Sequence, residues 1–485
     1  MNYDELKPQS VFRFFKDICN IPHPSGHEEE IIRYLKSFAE TRGLWHETDE
    51  RGNTLIRKPA TPGREAAPGV CLQAHTDMVA DKRKEVKHDF LKDPIQTVID
   101  GEWLRAEGTT LGADNGIGVA LALAVLDSKE VAHGPVEALF TVDEEVSLGG
   151  AEHLKEKWLQ SPYLINLDSE EEGEIYVGCA GGNCLEATWN CGFEPAPEDY
   201  FYAQIGVEGL SGGHSGGDIE KGHANGIKLL GSLLHRLLEE EKLDLRICCV
   251  QGGSKHNAIP IEAVALVGVP MAEKETLRIA INVFAAEMEK EYKITDPGMK
   301  WVMESAPAPK QELNALCMEE IIHALVSVHN GVYAFSQENP TFVHTSNNIA
   351  ILRTSAEGVI SLISSQRSES NFSKDEVTRC VQAAFSQAHA DRIVIDGDYP
   401  GWEPAYDSHL LAIAQESHKA VLGREAKIMT IHAGLECGLI GKKYPEMQMI
   451  SIGPTLRGVH TPEEKMHIPS LKTAWEHLTH ILSHI

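Results

Sequence analysis

Four short segments of this chain carry acidic and imidazole side chains of the kind that hold metal ions. They are His75-Thr76-Asp77, the Gly-flanked Asp114, Asp143-Glu144-Glu145, and Asp168 at the head of the acidic run 168–172. A fifth candidate, His460, lies far downstream, after Ser451-Ile452-Gly453-Pro454. Each alone has an ordinary reading. A His-x-Asp is a hydrogen-bonded pair, an acid between glycines is a turn, and an acidic run is solvated surface. Glu170, Glu171 and Glu172 are read in that last way and given no chemistry. Convergence changes the weighing, because carboxylates gathered at one place repel unless cations lie between them. Histidine with carboxylates and no thiolate suits zinc, with manganese or cobalt as substitutes. A shared carboxylate, with one His and one further carboxylate per ion, is a two-metal hydrolase arrangement.

The elements around these segments predict that they do converge. Residues 69–74, 136–141 and 163–167 read as buried strands, and 116–126 as a buried helix rich in small residues. Strands alternating with helices predict an α/β sheet covered on both faces. Ligand sites in such sheets lie beyond the carboxyl ends of the strands. His75, the Asp143-Glu144-Glu145 run and Asp168 each follow a predicted strand. On a strand, His75 and Asp77 share a face, so the carboxylate can orient the imidazole. Glu144 and Glu145 would point apart on a strand, so a loop or bulge must bring both to the site.

The chain has 485 residues and a formal net charge of −28. Length predicts more than one domain, and the charge argues against nucleic acid and anionic membranes as partners. No apolar run is long enough to span a membrane, and the opening residues lack a secretory pattern. Ten cysteines without framework or C-x-x-C spacing predict reduced thiols and a cytoplasmic setting. The composition shifts at 191–197, and the α/β pattern resumes after Asp398-Tyr399-Pro400-Gly401-Trp402. This divides the chain into 1–197 and 396–485, one catalytic domain in two pieces, around an inserted α+β domain, 198–395. The insert is long enough for two α/β modules. Its Gly213-His214-Ser215-Gly216-Gly217 also spells the nucleophile elbow of serine hydrolases. That elbow needs a helix immediately after the turn, and the next helical run begins only near Asn225.

Nine blocks resemble one family. They are QAHTDMV, TTLGADNGIG, DEE, NLDSEEEGEIYVGCAGG, GGHSGG, HNAIP, YPGW, IHAGLECG and SIGPTLRGVHTPEE, in order along 73–464, within a resemblance that extends over 21–467. Together they are similar to dipeptidases of the cytosol nonspecific or Xaa-His type, within the co-catalytic zinc peptidases and deacylases. The resemblance implies a zinc-peptidase-like catalytic domain with a mostly parallel central sheet and an inserted lid or dimerisation-type domain. It implies two zinc ions per subunit with Asp114 between them, His75 and Asp168 on one, and Glu145 and His460 on the other. Asp77 would orient His75, and Glu144 would act as general base on a metal-bridging water. A cis peptide would join Asp114 to Asn115. His214 would stabilise the oxyanion, while Asn257 and Arg367 would hold the substrate. Glu436 would contact the substrate amine or be structural, and His432 has the same two readings. The implied reaction is hydrolysis of unblocked dipeptides, Xaa-His included. A deacylase or carboxypeptidase on the same site is the alternative, and a non-catalytic metal-binding scaffold is disfavoured by the complete residue set. Whether the chain forms a homodimer, with His214 acting in cis or in trans, is left open.

Overall fold

The apolar run at 116–126 forms the middle of a helix, Ala113–Asp127, in the computed structural model, which describes residues 3–485. Every residue from Asn115 to Leu126 is buried, so the helix has no solvent face and must be enclosed on all sides. Gly116 permits the close approach of helix Gln9–Cys19, since a Cβ there would lie 3.3 Å from Ile18 and Phe15. The strand Val70–His75 is likewise buried at every position, as a central parallel strand covered on both faces must be.

The chain divides into two compact units, the first comprising residues 1–179, 402–430 and 435–485, the second 180–401 and 431–434. The main sheet of the first unit runs Trp45–Thr48, Thr54–Lys58, Val136–Thr141, Val70–His75, Tyr163–Asn166, Gln448–Ser451, Glu174–Cys179, Lys427–Ile431. Its four central strands, from Val136–Thr141 to Gln448–Ser451, are parallel. Antiparallel neighbours flank them. All four central strands therefore present their carboxyl ends at one edge, where His75, Asp143-Glu144-Glu145 and Asp168 emerge. A second sheet pairs Leu456–Arg457, Lys465–His467, Trp103–Ala106 and Thr97–Asp100. It ties the loop bearing His460 to the segment leading into Asp114.

The second unit begins earlier than composition suggests. Strand Gly181–Asn190 pairs along its whole length with Val359–Ser368 and also with Arg392–Tyr399, so it belongs to the second unit's sheet. The Pro-rich stretch at 191–197 marks only the turn into a short strand, Phe193–Pro195. Two modules of one topology make up this unit. In chain order, one is strand Tyr200–Glu208, helix Gly226–His235, strands Arg246–Gly252 and Ala263–Pro270, helix Lys274–Glu291, strand Lys300–Ser305. The other is strand Gly181–Asn190, helix Ala315–Ser327, strands Val343–Thr354 and Val359–Ser368, helix Asn371–Gln387, strand Arg392–Tyr399. Each is a split βαβ unit with spatial strand order 4-1-3-2. They join edge to edge through their second strands at Gly252 and Leu352. Arg353 strengthens the seam by donating to the Gly252 carbonyl at 2.6 Å.

The cysteine reading needs one correction, because Cys191 and Cys317 form a disulfide across a Cα–Cα distance of 5.5 Å. The partners are 126 residues apart, with one whole module between them, so their spacing carries no sign of the bond.

Candidate active site

Backbone geometry at the strand ends turns the acids toward one another. Gly112 has φ +69°, and Asp114 and Asn115 are non-helical, so Asp114 is set off from the axis of the helix it opens. The Asp114–Asn115 peptide is cis. Asp143 has φ +55° and starts a helical turn, Glu144–Ser147. This turn resolves the strand-alternation problem, since neighbouring Glu144 and Glu145 need not point to opposite faces.

Five side chains then meet around Asp114. One carboxylate oxygen lies 3.1 Å from His75 Nε2 and the other 3.0 Å from His460 Nε2. Asp168 lies 3.5 Å from His75 Nε2, and Glu145 lies 3.0 Å from His460 Nε2. Glu144 comes within 3.9 Å of His75 Nε2. Asp77 stands behind His75, whose Nδ1 is 3.4 Å from its carboxylate and 3.0 Å from its carbonyl. The same carboxylate accepts the N–H groups of Glu144 and Glu145 at 3.0 and 3.1 Å, and the Ser25 hydroxyl at 2.8 Å. One buried side chain thus orients an imidazole and also fixes the turn that carries two acids.

The electrostatics follow from this crowding. Burial opposes charge on Asp77, but hydrogen bonds from His75, Glu144 N–H and Ser25 outweigh it and hold the carboxyl at about 2. Burial would keep His75 neutral, yet Asp168, Asp114 and Asp77 hold it well above the usual imidazole range. Hydrogen bonds to Asp114 and then Glu145 raise His460 to about 11. Burial, reinforced by Asp168, Glu145 and Glu436, pushes Glu144 well above the carboxylate range. The site therefore favours positive charge at both imidazoles, and divalent ions can supply that charge in place of protons. His75, Asp114 and Glu145 each offer a ligand atom within 4.8 Å of the others, and Glu145 Oε1 is buried without a protein partner. The donor set, imidazole and carboxylate around one shared carboxylate, fits two such ions.

Glu436 is placed differently from a surface contact. It is fully buried at the start of helix Glu436–Lys443, accepting from Gln73 at 2.6 Å and Thr141 at 2.7 Å. Its other oxygen has no partner, and burial raises its carboxyl to about 7.

The remaining predicted residues lie in the second unit. Segments carrying His214 and Asn257 are bridged, Ser215 N–H donating to the Asn257 carbonyl at 2.8 Å. Arg367, on strand Val359–Ser368, donates to the Tyr399 hydroxyl at 2.9 Å, and its Nε is buried with no protein partner. His432 is 2.7 Å from the Ser346 hydroxyl. Burial, Arg367, His344 and His214 keep His432 neutral, down to about 3. Arg367 thus carries the positive charge of this patch, with His432 neutral beside it. The elbow reading fails here: the first α-helix after Ser215 starts at Gly226, and Ser215 Oγ is buried with no partner.

The sequence profile of peptidase family M20/M25/M40 matches residues 71–484. A cytosol non-specific dipeptidase of Escherichia coli is 42% identical over 99% of this chain and 98% of its own length. The chain belongs to the M20/M25/M40 peptidase family. As a member it is a hydrolase acting on peptide bonds. A crystal structure of aminoacylhistidine dipeptidase from Vibrio alginolyticus superposes with TM-score 0.90 at 40% identity, covering 100% of this chain and 98% of that one. Human carnosine dipeptidase 1 shares the fold alone, with TM-score 0.52 at 13% identity over 98% of this chain and 95% of that one.

Three supporting residues of this M20 site escaped the sequence reading. Glu464 is buried, and its carboxylate accepts four successive N–H groups, from Leu111, Gly112, Ala113 and Asp114, at 2.7, 3.1, 2.8 and 3.2 Å. It lies four residues after His460, so one side chain links the loops carrying both. Asn115 donates to the Leu167 carbonyl at 3.1 Å and also to Asp168, steadying that acid. Ser25 is the third, through Asp77. Asn115 and Glu464 fall inside recognised blocks, but no residue type signals that its partners are a carbonyl and an acid for Asn115 and backbone N–H groups for Glu464.

Proposed function

We propose that this chain is a two-zinc dipeptidase acting on unblocked dipeptides, Xaa-His among them. The observation that carries the reading is the division of neighbours about Asp114, each of its oxygens facing one His and each His a further carboxylate. His75, Asp114 and Asp168 would hold one ion, and Asp114, Glu145 and His460 the other, with manganese or cobalt as substitutes. When bound, the ions would polarise the scissile carbonyl and acidify the attacking water. Glu144, within 3.9 Å of His75 Nε2, takes that water's proton and delivers it to the leaving amine. Asp77 keeps His75 oriented and holds the Glu144 backbone in place.

His214 donates to the oxyanion. Arg367 pairs with the substrate's free carboxylate through its unpartnered Nε, and Asn257 holds the substrate. Full burial favours the structural reading of Glu436. No described helix is long and apolar enough to cross a membrane. The E. coli relative is named a cytosol enzyme, and we place this chain in the cytoplasm too.

Hydrolysis of a panel containing β-Ala-His, other unblocked dipeptides, Gly-Gly-Gly and N-acylated amino acids, with and without added zinc or manganese, tests the reading. Metal-dependent cleavage of the dipeptides is expected. Cleavage confined to acylated amino acids would instead make the chain a deacylase.

A further inference from the structure

The ring of His214 is held by groups that decide which nitrogen carries its proton. The N–H groups of Gly216 and Gly217 both point at Nδ1, at 3.2 and 3.1 Å. A backbone N–H can only donate, so Nδ1 must be the acceptor, and a neutral imidazole has one acceptor and one donor nitrogen. The main chain around the ring is fixed independently. Asp218 accepts the His214 N–H at 2.7 Å, and the Asp218 N–H returns to the His214 carbonyl at 3.0 Å. Ile259 N–H donates to the Gly213 carbonyl at 2.9 Å.

The glycines are what let the loop fold this tightly. A Cβ on Gly216 would collide with the His432 carbonyl and sit 3.1 to 3.2 Å from His214 Cε1 and Nδ1. A Cβ on Gly213, which has φ +136°, would lie 2.7 Å from Asp218.

We propose that Gly216 and Gly217, through their N–H groups, are positioning residues that lock His214 in the neutral Nε2–H tautomer. His214 is then a hydrogen-bond donor through Nε2 and does not accept a proton from water or substrate. Proton transfer is left to Glu144, and His214 supplies a fixed dipole for the oxyanion. This deepens the oxyanion role given to His214 above and rests on it for its catalytic meaning, but the tautomer itself does not.

Long-range 1H–15N correlation spectra of the zinc-loaded protein, labelled at histidine nitrogen, report the tautomer directly. The His214 signals are assigned by their disappearance in His214→Gln. A pattern with the proton on Nε2 is expected, and one with the proton on Nδ1 overturns the proposal whatever the activity. Kinetics provide a second arm. A Gln side chain places its amide nitrogen near Nε2 of the histidine it replaces, whereas Asn places its own near Nδ1. His214→Gln should therefore retain kcat to within about tenfold, while His214→Asn should lose roughly 10²-fold, the loss of one oxyanion donor. Equal kcat in the two variants overturns the assignment of Nε2 as donor. An Nε2–H spectrum together with normal kcat in His214→Ala would uphold the tautomer and remove the oxyanion role.

Discussion

Replacing Glu464 with Gln tests whether the backbone around Asp114 is preorganised by that carboxylate. One of its oxygens takes the Leu111 and Gly112 N–H groups, and the other those of Ala113 and Asp114. Gln keeps the size and one acceptor oxygen, but turns an NH₂ group toward the second pair of donors. Two buried N–H groups then lose their acceptor at about 1.5 kcal/mol each, or ~3 kcal/mol in total. That is roughly 100-fold in the equilibrium that holds Asp114 in place. Since His460 and Asp114 are linked through this residue, zinc affinity should weaken by a similar factor, and the metal-free protein should unfold at lower urea. Competition with a chromophoric chelator reads the first effect, and denaturation of the stripped protein reads the second. Wild-type zinc affinity in Glu464→Gln would refute the reasoning.

Other variants separate the roles of single groups. Glu144→Ala should keep both ions by metal analysis yet lose about 10²–10⁴-fold in kcat, the usual worth of a positioned proton-transfer group. Loss of metal in that variant would mean that Glu144 is a ligand. Asp114→Ala should lose both ions together, whereas retention of one would show that it does not bridge. His477 tests a stability claim far from the acids. Burial lowers it from 6.5 to about 4, against its hydrogen bond with the Ala414 carbonyl. The unfolded chain binds a proton here before the folded one does, so this contribution is complete above pH 6.5 and is lost as pH falls to about 4. At 5% exposure it amounts to about 3 kcal/mol. His477→Leu should flatten denaturation midpoints across that window, and an unchanged slope would contradict the assignment.

His75, Glu144, Glu145 and Asp168 were legible because each follows a strand, and parallel strands bring their carboxyl ends to one edge whatever the loops do. Asp114, which opens a helix, and His460 are the exceptions. Nothing in the segment around His460 marks it as a ligand, and the resemblance carried it. The supporting shell was less legible because its partners are backbone groups. Glu464 and the Gly216–Gly217 pair do their work through N–H donors that every residue but proline possesses. The twofold repetition in the second unit left no sequence repeat, because apolar alternation on strands and helices can be satisfied by many residues. Its interleaving, one module inserted after the first strand of the other, also hid where the unit starts and which cysteines are neighbours.

Zinc titration of the chelator-stripped protein, followed by the initial rate of β-Ala-His hydrolysis, tests the central claim most directly. The account predicts negligible rate without metal and a rise that reaches its plateau only at two equivalents of zinc per chain. A rate that survives stripping, or one already maximal at a single equivalent, would contradict it.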